Sequence, residues 1–207
     1  IPSAYTKFRR INPPMTYNLY PKKWTHYLWV LTIIFICFSN RNRKEVVVMT
    51  KKESESLKEF FFKAMLAGWA GEGKKSKIAE LPGYKYVVFR EDDLMLTDIY
   101  SVTSNSSKSS GLTTIFYNNN PVWVMHYWGW YYKKAILIVK EALTQAYSKG
   151  IFWGGRGLEA LNGNSMDYRN WPDENSFDCF SGREFVRLEG DEHSILGYHE
   201  YKGGSLI

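Results

Sequence analysis

The sequence predicts an α+β domain: a curved antiparallel β-sheet built from hairpins, with two main helices packed on one face. Three observations predict it. β-rich runs come in pairs joined by short turns that carry Asn, Asp or Gly, and hairpin connections mean antiparallel pairing. Two segments place apolar residues at helical spacing. The stretch 49–207 is long enough for one domain of ordinary size with its own core.

Each element has its own signal. Thr50-x-x-Glu53 and Ser56-x-x-Glu59 are capping-box patterns, and Leu57, Phe60, Phe61, Ala64 and Gly68 recur on one helical face, so a first helix is expected there. Residues 84–90 and 94–102 form a first hairpin across Glu91-Asp92-Asp93. The Ser-rich, low-complexity run 104–111 reads as a mobile loop. Residues 112–117 and 122–130 flank Asn118-Asn-Asn-Pro121 as a second hairpin. A second helix is expected over 133–149, with Ile136, Val139, Leu143 and Ala146 on one side and Gly150 as its stop. An irregular passage rich in Gly, Asn and Pro follows. Strands are then expected at 176–179, 183–189 and 193–201, the last two joined by Gly190-Asp191.

The charge is unevenly distributed. The chain has 27 Lys+Arg against 21 Asp+Glu, a net of +6, which alone would suggest nucleic acid or an anionic membrane surface. Eight of the bases (Lys7, Arg9, Arg10, Lys22, Lys23, Arg41, Arg43 and Lys44) and one acid, Glu45, precede Met49, which leaves 19 bases against 20 acids after it. The part after Met49 therefore has no electrostatic footprint for a phosphate backbone, and no nucleic-acid contact is expected from 49–207. The leader, 1–48, reads first as an over-extended reading frame: Lys44-Glu45-Val46 can be encoded as AAG-GAG-GT, a ribosome-binding sequence placed ahead of Met49. The other readings are a signal or anchor segment running from Trp24 to Phe38 and a folded extension. The apolar run is short for a membrane span, which needs about 20 residues, and no small-residue cleavage site follows it. With the leader set aside, Cys179 is the single cysteine, so a reducing cytoplasm is expected, with membrane anchoring as the alternative if the leader is expressed.

Several short patterns carry a family resemblance. They are Tyr100 after Leu-Thr-Asp98, the run Asn120-Pro-Val-Trp123-Val-Met-His-Tyr127-Trp-Gly129, and Gly155-Arg156-Gly157. The closing runs are Phe180-Ser-Gly-Arg-Glu184 and Gly197-Tyr-His199-Glu-Tyr-Lys-Gly203-Gly204-Ser-Leu-Ile207. In this order, over 57–207, the chain resembles a bacterial family known as domain of unknown function 5680. The resemblance implies a small α+β domain, found alone or behind a helix-turn-helix DNA-binding segment, and no established activity. Residues 1–48 contain nothing like a paired-helix DNA reader, so that role does not carry over. Gly157-Leu158 also stands where the family tends to have Gly-Pro.

Motifs that would carry catalysis or metal binding fail on their context. Gly68-Trp-Ala-Gly-Glu-Gly73-Lys74-Lys75 has most of a phosphate-binding loop, but it follows a helix and has Lys75 where a Ser or Thr should hold magnesium. His193 and His199 share a strand face, yet six strand residues span about 20 Å, too far for one ion, so no metal and no cofactor are expected. Cys179 beside Phe177 and Phe180 is expected as a small core residue. Asp98 and Glu184 are the pair that could act as acid and base.

The aromatic residues give the stronger lead. Trp123 and Tyr127 share one strand face, with His126 and Trp128 on the other; Tyr100, Trp153 and Tyr198 add further aromatic surface. The expected site is a concave sheet face with apolar aromatic walls and a few orienting polar groups. Its candidate ligand-binding residues are Tyr100, Trp123, His126, Tyr127, Arg156, Glu184 and His199, with Arg156 able to hold a carboxylate or phosphate. The expected function is a non-catalytic module that binds a small molecule or serves as a regulatory effector. An acid/base or hydrolytic enzyme using the same pocket and a protein-interaction module are the alternatives.

Overall fold

Leu57, Phe60, Phe61 and Ala64 are all buried on one side of helix α1 (Lys51–Ala67), as their spacing requires. The computed structural model describes residues 51–68, 70–71 and 73–207, which fall within one compact unit, Val47–Ile207. The readings of the leader and the cap at Thr50 lie outside the described residues. After α1 come β1 (Ser76–Lys77), β2 (Tyr84–Glu91), β3 (Leu94–Val102), β4 (Lys108–Tyr117) and β5 (Asn120–Tyr131). A short 3-10 turn, Lys133–Ala135, leads into helix α2 (Ile136–Ser148). The chain ends with β6 (Ala160–Gly163), β7 (Met166–Asn175), β8 (Cys179–Leu188) and β9 (Ile195–Ser205).

All nine strands form one antiparallel sheet in the order β1-β2-β3-β4-β5-β9-β8-β7-β6, so the domain is α+β and mostly sheet. Two meanders run outward from a central β5–β9 pair. Both edges are very short strands, β1 of two residues and β6 of four, which limits edge-to-edge pairing with another chain. The core centres on Trp123, fully buried and stacked against both Phe177 and Phe180 with ring centroids 5.3 Å from each. Phe61 of α1 lies 5.1 Å from Trp123, and Tyr147 of α2 meets Phe61 edge-on at 5.8 Å.

The structure corrects several sequence expectations. The passage after Gly150 holds a fourth hairpin, β6–β7, whose turn residues Asn164 and Ser165 have φ of 53° and 57°. Such a pair of positive angles is the geometry of a two-residue hairpin turn, also seen at Asn118 and Asn119 (48° and 63°). Pro172 sits in β7 where the pairing register shifts, so its missing N–H interrupts an already irregular ladder. The expected loop 104–111 is shorter, because β4 begins at Lys108. Residues 176–178 form a turn rather than a strand, closed by the Ser176 N–H donating to the Cys179 carbonyl at 3.1 Å. His193 belongs to the turn before β9. Cys179 is exposed, not part of the core: it opens β8 one residue before buried Phe180, so strand alternation turns it outward, with its Sγ 3.2 Å from Glu174 Oε2.

Candidate functional site

Arg156 is carried into the interior by the loop that follows α2. Gly154 and Gly155 have φ of 61° and 67°, the left-handed region where a side chain would be strained, and these two residues turn the chain so that Arg156 enters the core at 5 % exposure. Asn170 of β7 ties down the same loop. Its Nδ2 donates to the carbonyls of Trp153 (2.9 Å) and Gly157 (3.1 Å), and its Oδ1 accepts the Tyr201 hydroxyl at 2.6 Å.

Glu184 of β8, with no exposed surface, receives the guanidinium. Arg156 Nε donates to Oε1 at 2.9 Å and Nη2 donates to the same oxygen. The Tyr131 hydroxyl also donates to Oε1, at 2.6 Å, and the Tyr168 hydroxyl donates to Oε2. Burial works against the charge of Glu184, yet Arg156 and the hydroxyl donors hold its carboxyl below the usual range. Burial likewise opposes the charge of Arg156, and Glu184 outweighs it. The two are an ionised, compensated buried pair.

Asp98 of β3 is a second buried carboxylate at this site. Thr113 and Tyr127 both donate to its Oδ1, at 3.1 and 2.9 Å, so Oδ2 is left without a donor among the described residues. Burial raises its carboxyl, against the lowering effect of these two donors and of Arg156. His199 of β9 lies between the rings of Tyr131 (4.4 Å) and Tyr127 (5.9 Å). Its Nε2 is 3.4 Å from Ser109 Oγ and its Nδ1 is buried with no partner among the described residues. Burial, helped by the nearby Arg156 charge, pushes it down to about 3, so the imidazole is neutral across the ordinary pH range.

These groups surround a cavity of about 300 Å³. Asp98, Tyr100, Tyr127, Arg156 and His199 supply its polar wall; Met65, Ile136, Leu143 and Tyr147 supply apolar wall from the two helices. Residues 103 and 106–109 border it between β3 and β4.

Of the residues singled out from sequence, Tyr100, Tyr127, Arg156 and His199 therefore meet at one cavity, and Glu184 stands behind Arg156 without lining it. Trp123 is a core residue whose Nε1 donates to the Phe177 carbonyl at 2.8 Å; it does not reach the cavity. His126 is exposed and lines a separate, shallower groove with Trp128, Arg183, Glu200 and Lys202, because strand alternation sends it away from Tyr127. Trp153 anchors its loop by donating from Nε1 to the Asn170 carbonyl at 3.0 Å. The hydroxyl of Tyr198 donates to Glu200 on the strand face opposite His199. Sequence reasoning missed Tyr131, Tyr168 and Asn170. Tyr131 had a signal, sharing the strand alternation of Tyr127, but Tyr168 and Asn170 lay in the passage read as irregular.

Among the described residues no group of His, Cys, Asp and Glu is arranged to hold a metal ion, and no helix is long and apolar enough to cross a membrane. The family model described as Domain of unknown function (DUF5680) matches residues 98–206, more than half of the chain. That span begins at Asp98 and includes every polar group of the cavity wall named above; it is shorter than the 57–207 of the sequence resemblance. No curated protein and no solved structure matches the chain.

Proposed function

The chain belongs to the family described as domain of unknown function (DUF5680), and for this member we propose a non-catalytic module, regulatory in role, that binds a small molecule in the aromatic cavity. The observation that carries this reading is the convergence of Asp98, Tyr100, Tyr127, Arg156 and His199, from three strands and a loop, on one cavity of about 300 Å³. Ligand sites combine such apolar walls with a few placed polar groups, in cavities of roughly 300–1,000 Å³. In this reading the two helices roof the sheet face that bears Asp98 and Tyr127, a placement supported by the contact of Phe61 with Trp123 and by the cavity wall from α2.

Catalysis is left out for chemical reasons. A general base needs a pKa near the working pH, and His199 is pushed down to about 3. Glu184 spends both oxygens on donors and does not line the cavity, so the pairing of Asp98 with Glu184 as acid and base lacks access to a substrate. Exposed Trp128 and Trp171, at 48 % and 53 %, support an interaction surface as the second reading. The cytoplasm remains the proposed compartment, in keeping with the free, exposed Cys179.

The test is ligand-dependent stabilisation. Small molecules that co-purify with the full chain are identified by mass spectrometry and added back in a thermal-shift titration. A specific ligand raises the unfolding temperature with saturation, and Ala70→Leu, which extends a side chain at the cavity wall, abolishes the rise while leaving the fold intact. Equal stabilisation of the wild type and Ala70→Leu would place binding elsewhere and sink the proposal.

A further inference from the structure

The cavity is not neutral in what it prefers, and its buried charges identify the class of ligand. This inference rests on the ligand-binding reading and goes one step further. Among the described residues, Asp98 and Glu184 bring two carboxylates to the cavity and its wall, Arg156 brings one guanidinium, and His199 is uncharged. The tyrosines that face the space, Tyr100, Tyr127, Tyr131 and Tyr147, are all raised by burial and stay un-ionised. Lys108 reaches the cavity only from an exposed position, where solvent screens it. Arg156 and Glu184 cancel within one ion pair. What remains is the carboxylate of Asp98, whose Oδ1 is occupied by Thr113 and Tyr127 and whose Oδ2 has no donor among the described residues.

We propose that the cavity takes a small organic cation, an amine with an aromatic or aliphatic body, whose ammonium group donates to Asp98 Oδ2 while its body lies against Tyr100, Tyr127 and Leu143. An anion at the same place would add a second uncompensated negative charge to a low-dielectric interior, which is unfavourable. A cation brings the buried sum to zero. Arg156 is a weak anchor for an anion because its charge is already cancelled by Glu184, which takes Nε–H and one Nη2–H and leaves only neutralised N–H donors to the cavity. The ring faces of Tyr100 and Tyr127 suit an ammonium ion beside them, as the position of Arg156 over Tyr127, 5.4 Å from its centroid, already illustrates. Burial raises the Asp98 carboxyl in the ligand-free protein, and a cation beside it acts in the opposite direction, favouring the ionised form.

The experiment uses the full chain and three probes of similar shape: 2-phenylethylamine, 2-phenylethanol and 3-phenylpropionate. Dissociation constants are measured by protein-observed NMR at pH 7.5, for the wild type and for Asp98→Asn, which keeps an acceptor for Tyr127 and Thr113. The expected result is that the amine binds at least about tenfold more tightly than the alcohol and the carboxylate, that Asp98→Asn removes this preference, and that amine binding weakens as pH falls through the raised pKa of Asp98. Because the three probes are compared on the wild type, the conclusion does not depend on the variant folding. Tighter binding of 3-phenylpropionate, or equal binding of amine and alcohol, overturns the cationic ligand while leaving the cavity as a binding site. No binding of any probe at millimolar concentration, with no co-purifying molecule, overturns both.

Discussion

Glu184 keeps its charge in a fully buried position because four donors surround it: Nε and Nη2 of Arg156 and the hydroxyls of Tyr131 and Tyr168. Removing one member of a buried ion pair leaves the other charge uncompensated, a loss of about 3–5 kcal/mol. Glu184→Gln is therefore expected to lower the unfolding free energy by that amount in urea denaturation, and wild-type stability in this variant would contradict the four-donor account. The double replacement Arg156→Met with Glu184→Leu should not restore the wild type either, since it leaves two tyrosine hydroxyls buried without an acceptor, at about 1–3 kcal/mol each. Asn170→Ala belongs with these. It strips partners from the Tyr201 hydroxyl and from two loop carbonyls, and the expected loss is about 3 kcal/mol or more by the same measurement. At this scale the sequence made Arg156, Glu184 and His199 visible as polar residues among aromatics and glycines. It could not show that Glu184 neutralises Arg156, because that pairing depends on a loop entering the sheet from behind. The grouping of His126 with Tyr127 failed for a simpler reason: neighbours in a strand point to opposite faces.

The site is shaped at the level of strands by glycines placed opposite aromatic rings. Gly111 of β4 pairs with Tyr127, Gly129 of β5 with His199, Gly197 of β9 with Tyr131, and Gly182 of β8 with Tyr201. In each pair the ring occupies the space a Cβ would need: an added Cβ would lie 2.2 Å from Tyr127, 2.2 Å from His199, 2.1 Å from Tyr131 and 2.5 Å from Tyr201. The rings can therefore lie across the neighbouring strand instead of standing up from their own. Gly129→Ala tests this most sharply, because its Cβ would also meet the Tyr198 carbonyl oxygen at 1.9 Å, and backbone cannot rotate away. A loss of roughly 3 kcal/mol is expected from overpacking of this kind. Gly163→Ala in β6 has nothing within 4 Å and should stay within about 0.5 kcal/mol of the wild type. Equal losses in the two variants would rule out the close-approach explanation. A glycine inside a strand is a legible sign of close backbone approach, and these glycines were in plain view. Their partners were not, because they follow from register. The β6–β7 hairpin was missed because Asn, Pro, Asp and Glu dominate 170–175 and strand propensity is low there. Pairing of 170–175 with β8 overrides that propensity, while β6 pairs only with 166–169 of the same strand.

Across the whole molecule the cavity groups and their support come from two meanders that meet at β5–β9, with Asp98, Tyr127 and Tyr131 from one, Glu184 and His199 from the other, and Arg156 from the loop that leads into the second. The hairpins β2–β3, β4–β5 and β8–β9 were legible as neighbours in sequence. The central pairing was not, since it joins 123–131 to 197–205 and no local signal encodes it. Because both halves contribute ionisable groups, global stability should carry their titration. The folded His199 pKa of about 3 lies below its ordinary 6.5, so the neutral form contributes stability that is complete above 6.5 and lost as pH falls toward 3, on the order of 5 kcal/mol in all. Glu184, held below its ordinary 4.5, contributes in the same direction at lower pH. Asp98 is raised above its ordinary 3.8, and its contribution runs the other way: it is present below 3.8 and lost as pH rises through the folded value. The unfolding free energy of the wild type is thus expected to fall between pH 7 and pH 4, steeply where His199 dominates and less steeply where Asp98 opposes it. His199→Phe should flatten the fall between 6.5 and 4. Asp98→Asn should steepen it and, without ligand, match or exceed the wild type at pH 8, where the buried carboxylate is a liability that asparagine lacks. Urea denaturation at half-unit pH intervals reads all three curves. Parallel curves for the wild type and His199→Phe would show that the imidazole is solvated, and with it that the cavity wall is not closed around His199.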